Sequence, residues 1–94
     1  MNLVSSIKIE QSHDLGIAEA RMRVAKLEPM LKDRFGLALA WQGDVAQFKG
    51  KGFNGSLTVA EQNVVIDLSL GILARPFAGK IRNALLEHMR NTLA

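Results

Sequence analysis

Residues 63–81, NVVIDLSLGILARPFAGKI, decide the fold. The first half alternates. Val64, Ile66, Leu68 and Leu70 fall on one side of an extended chain, and Val65, Asp67 and Ser69 on the other. A period of two is the mark of a strand with one buried face. Gly71 ends the alternation, and Ile72, Leu73 and Ala74 make a short apolar corner. Arg75-Pro76 then opens a helix, because proline already holds the backbone angle of a first turn and lacks an amide that would go unbonded there. Phe77, Ile81, Leu85 and Met89 recur every four residues, with Ala78, Ala84 and Leu93 beside them. That face is expected to point to the core.

The preceding chain can be fitted to this strand by register. Ser56–Ala60 (SLTVA) reads as a strand, with a turn at Glu61-Gln62-Asn63. Pairing Val59 with Val64 sets Leu57 opposite Ile66, on one face. Further back, Leu37–Gln42 (LALAWQ) and Val45–Lys49 flank Gly43-Asp44, a two-residue turn signal. That turn pairs Gln42 with Val45, Trp41 with Ala46 and Leu39 with Phe48. Leu37, Leu39, Trp41, Ala46 and Phe48 then share one apolar face. Between these hairpins, Gly50–Gly55 (GKGFNG) reads as a glycine-rich connection.

At the start, Ser6–Gln11 (SIKIEQ) alternates as a short strand with Ile7 and Ile9 inward. Ser12 or Asp14 is the expected N-cap of the helix that follows to about Arg34. Ile17, Ala20, Val24, Leu27 and Leu31 form its core stripe, flanked by Leu15, Ala18, Met22 and Ala25. Pro29 lacks an amide hydrogen and its ring crowds the carbonyl of Ala25, so a kink or a second short helix is expected there. Gly36 is the expected left-handed cap. The order is β-α-β-β-β-β-α over residues 1–94, a single α+β domain. Its five-stranded, antiparallel-dominated sheet has the spatial order 2-3-4-5-1, with a right-handed crossover and two helices on one face. The arrangement is like a reduced helix-grip fold.

Composition narrows the function classes. The chain has 94 residues, 48% hydrophobic and 22% charged, with net charge +3 and no cysteine. This is a globular composition, without disulfides or thiolate metal sites. MNLVSSIKIE shows no basic stretch followed by an apolar one, and no run approaches the ~20 apolar residues of a membrane span. The expected location is cytoplasmic. The charge is too small and too spread for a nucleic-acid footprint.

The candidate chemistry is sparse. Gly50, Gly52 and Gly55 spell G-x-G-x-x-G, but a strand follows where a dinucleotide fingerprint needs a helix, so turn geometry is the expected role. His13 and His88 show no ligand spacing, and His13 is expected to join a helix cap; no metal or cofactor is expected. Lys49, Lys51, Phe48 and Phe53 interleave basic and aromatic residues, but the register puts Phe48 on the helix-covered face, which breaks a base-stacking platform. The outward sheet face, with Ala38, Ala40, Val45, Ser56, Thr58, Val65 and Ser69, is solvated or a homodimer interface. At the corner, Ile72 and Leu73 are expected to close the core. Exposed, they would sit beside Arg75 and Lys80 as an apolar-plus-basic patch suited to a lipid or polymer surface.

Together, IKIEQSHDL with Glu19-Ala20-Arg21, RFGLALAWQGD, Phe48 with Gly52 and Gly55, SLTV and VVIDLSLGILARPFAGKI span nearly the whole chain. In order and spacing they resemble the small polyhydroxyalkanoic acid system proteins. The resemblance implies association with bacterial polyhydroxyalkanoate storage granules and transfers no catalytic residue. The reading that follows is a non-enzymatic accessory protein that binds the granule surface or a granule protein through Ile72, Leu73, Arg75 and Lys80. The alternative is a small hydrophobic-ligand (hydroxyacyl-type) binder lined by Leu39, Trp41, Phe48 and Ile66. A hydrolase or isomerase ranks last, since no nucleophile, base and orienting group stand together.

Overall fold

The computed structural model describes residues 5–50 and 52–94. Lys51 of the basic–aromatic stretch and residues 1–4, where a leader was sought, lie outside the described residues. The elements are β1 (Ser5–Ser12), α1 (Gly16–Ala25), α2 (Glu28–Phe35), β2 (Ala38–Gln42), β3 (Val45–Gly50), β4 (Phe53–Val59), β5 (Asn63–Leu70) and α3 (Ala78–Leu93). A 3-10 turn, Arg75–Phe77, leads into α3.

The strands form one antiparallel sheet in the order β1-β5-β4-β3-β2, as the patterning requires. Leu39 stands opposite Phe48 and Trp41 opposite Ala46. Leu57 stands opposite Ile66 and Val59 opposite Val64. β1 adds Ile7 opposite Leu68 and Ile9 opposite Ile66. The inner face is therefore one continuous apolar layer, and α1, α2 and α3 pack over it. Ala20, Val24, Leu31, Ile81, Leu85, Met89 and Leu93 are the helical residues buried against it.

The first helical stretch breaks rather than bends. Leu27 N–H donates to Val24 O at 2.9 Å, a tightened last turn, and α2 restarts with Pro29 in its first turn. Proline cannot donate to Ala25 O and its ring excludes that carbonyl from the usual spacing, so the helix has to begin again. Gly36 closes α2 at φ 64°, the left-handed cap expected of it. Of the flanking residues assigned to α1's core stripe, Ala18 and Met22 are exposed.

Three local expectations are corrected. Neither Ser12 nor Asp14 caps α1: Ser12 ends β1, Asp14 is exposed, and Leu15 occupies the cap position without a side-chain bond. His13 does that work instead, its Nδ1 accepting Leu15 N–H at 3.1 Å. Second, β4 begins at Phe53, not Ser56, because Phe53 pairs with both Gly50 and Leu70. The glycine-rich connection shortens, with Gly50 ending β3 and Gly52 in a turn at φ 80°. Gly55 is a strand residue at a close approach, where a Cβ would lie 2.0 Å from Asp67 O. Third, Phe77 does not point to the core. It belongs to the 3-10 turn, whose three residues per turn rotate it off the four-residue spacing that places Ile81, Leu85 and Met89 inward.

Candidate functional site

The site lies at one end of the molecule, where α2 ends, β3 turns into β4, and β5 runs into α3. Gly71 N–H donates to Gly52 O at 2.8 Å, which ties the corner to the β3–β4 turn. Gly71 O then accepts from both Ala74 and Arg75 N–H at 3.1 Å. This tight reversal turns only Ala74 inward, buried on the core. Ile72 and Leu73 are thrown outward, 79% and 87% exposed. The expectation that they close the core is therefore corrected: a reversal this short has room for one inward residue, and a small alanine fills it. Phe77, 56% exposed, stands one turn further on.

Beside the corner is an open groove of about 710 Å³. Phe35 from α2, Phe53 from β4, Leu73 and Ala74 from the corner, Phe77, and Ile81 and Ala84 from α3 give it an apolar lining. Among the described residues Arg34 and Lys80 are its charged lining residues, and none of those residues lines it with a carboxylate. Arg34 sits in the last turn of α2 and Lys80 in the first turn of α3, a helix without an N-terminal side-chain cap or an acidic residue in its first turn. Arg75 is half-buried, and its Nε is enclosed without a hydrogen-bond partner among the described residues. The end is thus apolar at its centre and positive around it.

The four residues named for the corner separate. Leu73 and Lys80 line the groove, Ile72 is exposed outside its lining, and Arg75 is half-buried with an enclosed Nε. The four named for a ligand cavity are not brought together around a space. Phe48 and Ile66 are packed in the core at 1% and 0% exposure, and Leu39 and Trp41 are half-buried against it. Leu39 borders a separate shallow depression with Glu28, Pro29 and Lys32.

Trp41 has a different set of partners. Its Nε1–H donates to Glu28 Oε1 at 2.6 Å, and the Arg21 guanidinium lies 4.6 Å from the ring centroid. Arg21 Nε–H also donates to Gly43 O at 3.0 Å. This constellation fastens both halves of the broken helix to the β2–β3 hairpin. Arg23 is likewise engaged, with Glu19 Oε1 at 3.2 Å and with the carbonyls of Thr92 and Ala94. A cation there satisfies the open carbonyls at the end of α3 and complements its dipole.

His13 is buried, and both ring nitrogens face backbone: Nε2–H donates to Ala60 O at 3.0 Å while Nδ1 accepts from Leu15. Neither nitrogen faces a substrate site. Among the described residues no group of three or more His, Asp or Glu side chains could hold a metal ion. The outward sheet face carries Ser6, Ser69, Asn54 and Lys49 in one cross-strand row and Lys8, Asp67, Ser56 and Gln47 in the next.

The groove residues missed in the sequence, the adjacent Arg34 and Phe35 with Phe53 and Phe77, come from three distant parts of the chain. One signal could have found them. The hairpin registers place the start of β2, the end of β3, the start of β4 and the end of β5 at the same end of the sheet. Aromatic residues at those element ends must meet there.

No helix among the described residues is long and apolar enough to cross a membrane. Comparison with curated proteins and with solved structures found no match. A family model described as "Putative polyhydroxyalkanoic acid system protein" matches residues 7–93. With all three helices and all of the sheet except Ser5 and Ser6 inside that match, the chain belongs to this polyhydroxyalkanoic acid system family.

Proposed function

We propose that the protein is a non-catalytic accessory of polyhydroxyalkanoate storage that binds the granule surface through the corner from Gly71 to Phe77. The observation that carries this reading is the outward display of Ile72, Leu73 and Phe77 on a turn held by the Gly52–Gly71 hydrogen bond, with the exposed Lys80 just beyond it and the half-buried Arg75 within it. Large apolar side chains held out in water are useful where another apolar phase will take them up. Moving the three from water into such a phase is worth roughly 4–6 kcal/mol. That strength gives reversible adsorption, of the same order as one short lipid anchor, so the surrounding cations matter. Lys80 can keep its ammonium in water while its stem lies along the apolar surface. A granule protein with an apolar docking face would use the same residues.

Binding rather than catalysis is supported by the engagement of both His13 nitrogens with backbone. The family membership supports the polyester context. The experiment is to follow a fluorescently tagged chain in polymer-accumulating cells. The tag is expected to ring the granules. A diffuse signal in cells full of granules would overturn the proposal.

A further inference from the structure

The groove beside the corner has a chemistry that surface adsorption does not require. Adsorption needs Ile72, which projects outside the groove. The groove adds a concave apolar lining from Phe35, Phe53 and Ile81, with Ala84 as its small residue. Its volume of about 710 Å³ lies within the usual range of small-molecule sites. Among the described residues the lining has no hydroxyl, amide or carboxylate side chain that could read a sugar, a base or a cation. It does have two cations, Arg34 and Lys80, contributed by different helices.

From this we infer that the groove binds a single-chain acyl carboxylate. The chain would lie along Phe35, Phe53 and Ile81, with the carboxylate between Arg34 and Lys80. A guanidinium matches a carboxylate through two parallel N–H···O bonds, and an ammonium adds a point charge. An uncharged chain would leave both cations unused, and a cationic amphiphile would be repelled by them. This inference goes beyond granule binding and does not depend on it.

The test is calorimetric titration of the whole chain with decanoate below its micelle concentration. Decyltrimethylammonium serves as the matched cation, and phosphatidylglycerol vesicles as the lipid arm. Decanoate is expected to saturate one site per chain. Ala84→Trp, which fills the groove, should abolish binding, and the milder Ala84→Leu should weaken it. Replacing both Arg34 and Lys80 with alanine should weaken it about tenfold. Ile72→Ser should leave decanoate binding intact while releasing the protein from granules, so the two proposals fail separately. Absence of saturation, equal affinity for the cationic amphiphile, unchanged binding in a folded Ala84→Leu variant, or uptake only from vesicles would each overturn the inference.

Discussion

Two regions of this molecule combine aromatic and apolar residues with basic ones, and they are finished differently. At one, Trp41 is covered by Arg21, donates to Glu28, and belongs to a hairpin whose Gly43 carbonyl accepts from the same arginine. At the other, Leu73 and Phe77 stand in water beside Lys80, and Arg75 keeps a buried Nε without a partner among the described residues. The residue types are alike. Only the internal pairing differs. A cluster whose donors, acceptors and apolar surface are all used within the chain holds the fold together. One that leaves them unused has capacity for a partner.

That contrast can be broken by mutation. The largest effect is expected at the closed cluster. Trp41→Ala removes a half-buried ring, leaves Glu28 without its donor and frees Arg21, so urea unfolding should report a loss of about 2–3 kcal/mol. A loss below about 0.5 kcal/mol would mean the cluster is not structural.

Next comes the seat of the open region. Gly52→Ala places a side chain at φ 80° in the turn that holds Gly71, and should cost about 1–2 kcal/mol in the same measurement. Granule adsorption should fall with it, since the corner loses its support.

Arg21→Ala leaves the Trp41–Glu28 bond in place and removes an exposed cation–π contact and one bond to Gly43. About 0.5–1 kcal/mol is expected. The smallest effect on stability is expected at the open region itself. Ile72→Ser and Leu73→Ser change side chains that touch little, and each should stay within about 0.5 kcal/mol of the parent. A large destabilisation by either would place it in the core after all and remove the basis for a docking corner.

The sequence made the sheet legible because each hairpin carries two independent signals, alternation and turn, that had to agree. Leu39 opposite Phe48 and Leu57 opposite Ile66 follow from that agreement. Pro29 announced the helix break because its missing amide acts locally. The corner was not legible. Ile72-Leu73-Ala74 has no periodicity to say which residue turns inward, and the answer depends on the Gly52–Gly71 contact between segments distant in the chain. Phe77 was misplaced because helical spacing was carried back through a 3-10 turn. The groove was hidden for a further reason: its lining comes from α2, β4, the corner and α3, and no stretch of sequence contains it.

The exposed corner, rather than the sheet or the closed cluster, is the proposed interaction surface. The most direct measurement is sedimentation of purified protein with isolated polyhydroxyalkanoate granules, comparing the parent with a variant carrying Ile72→Ser, Leu73→Ser and Phe77→Ser together. The parent is expected to pellet with the granules and the triple variant to stay in the supernatant, with its urea midpoint unchanged. Equal pelleting of the two proteins would contradict it.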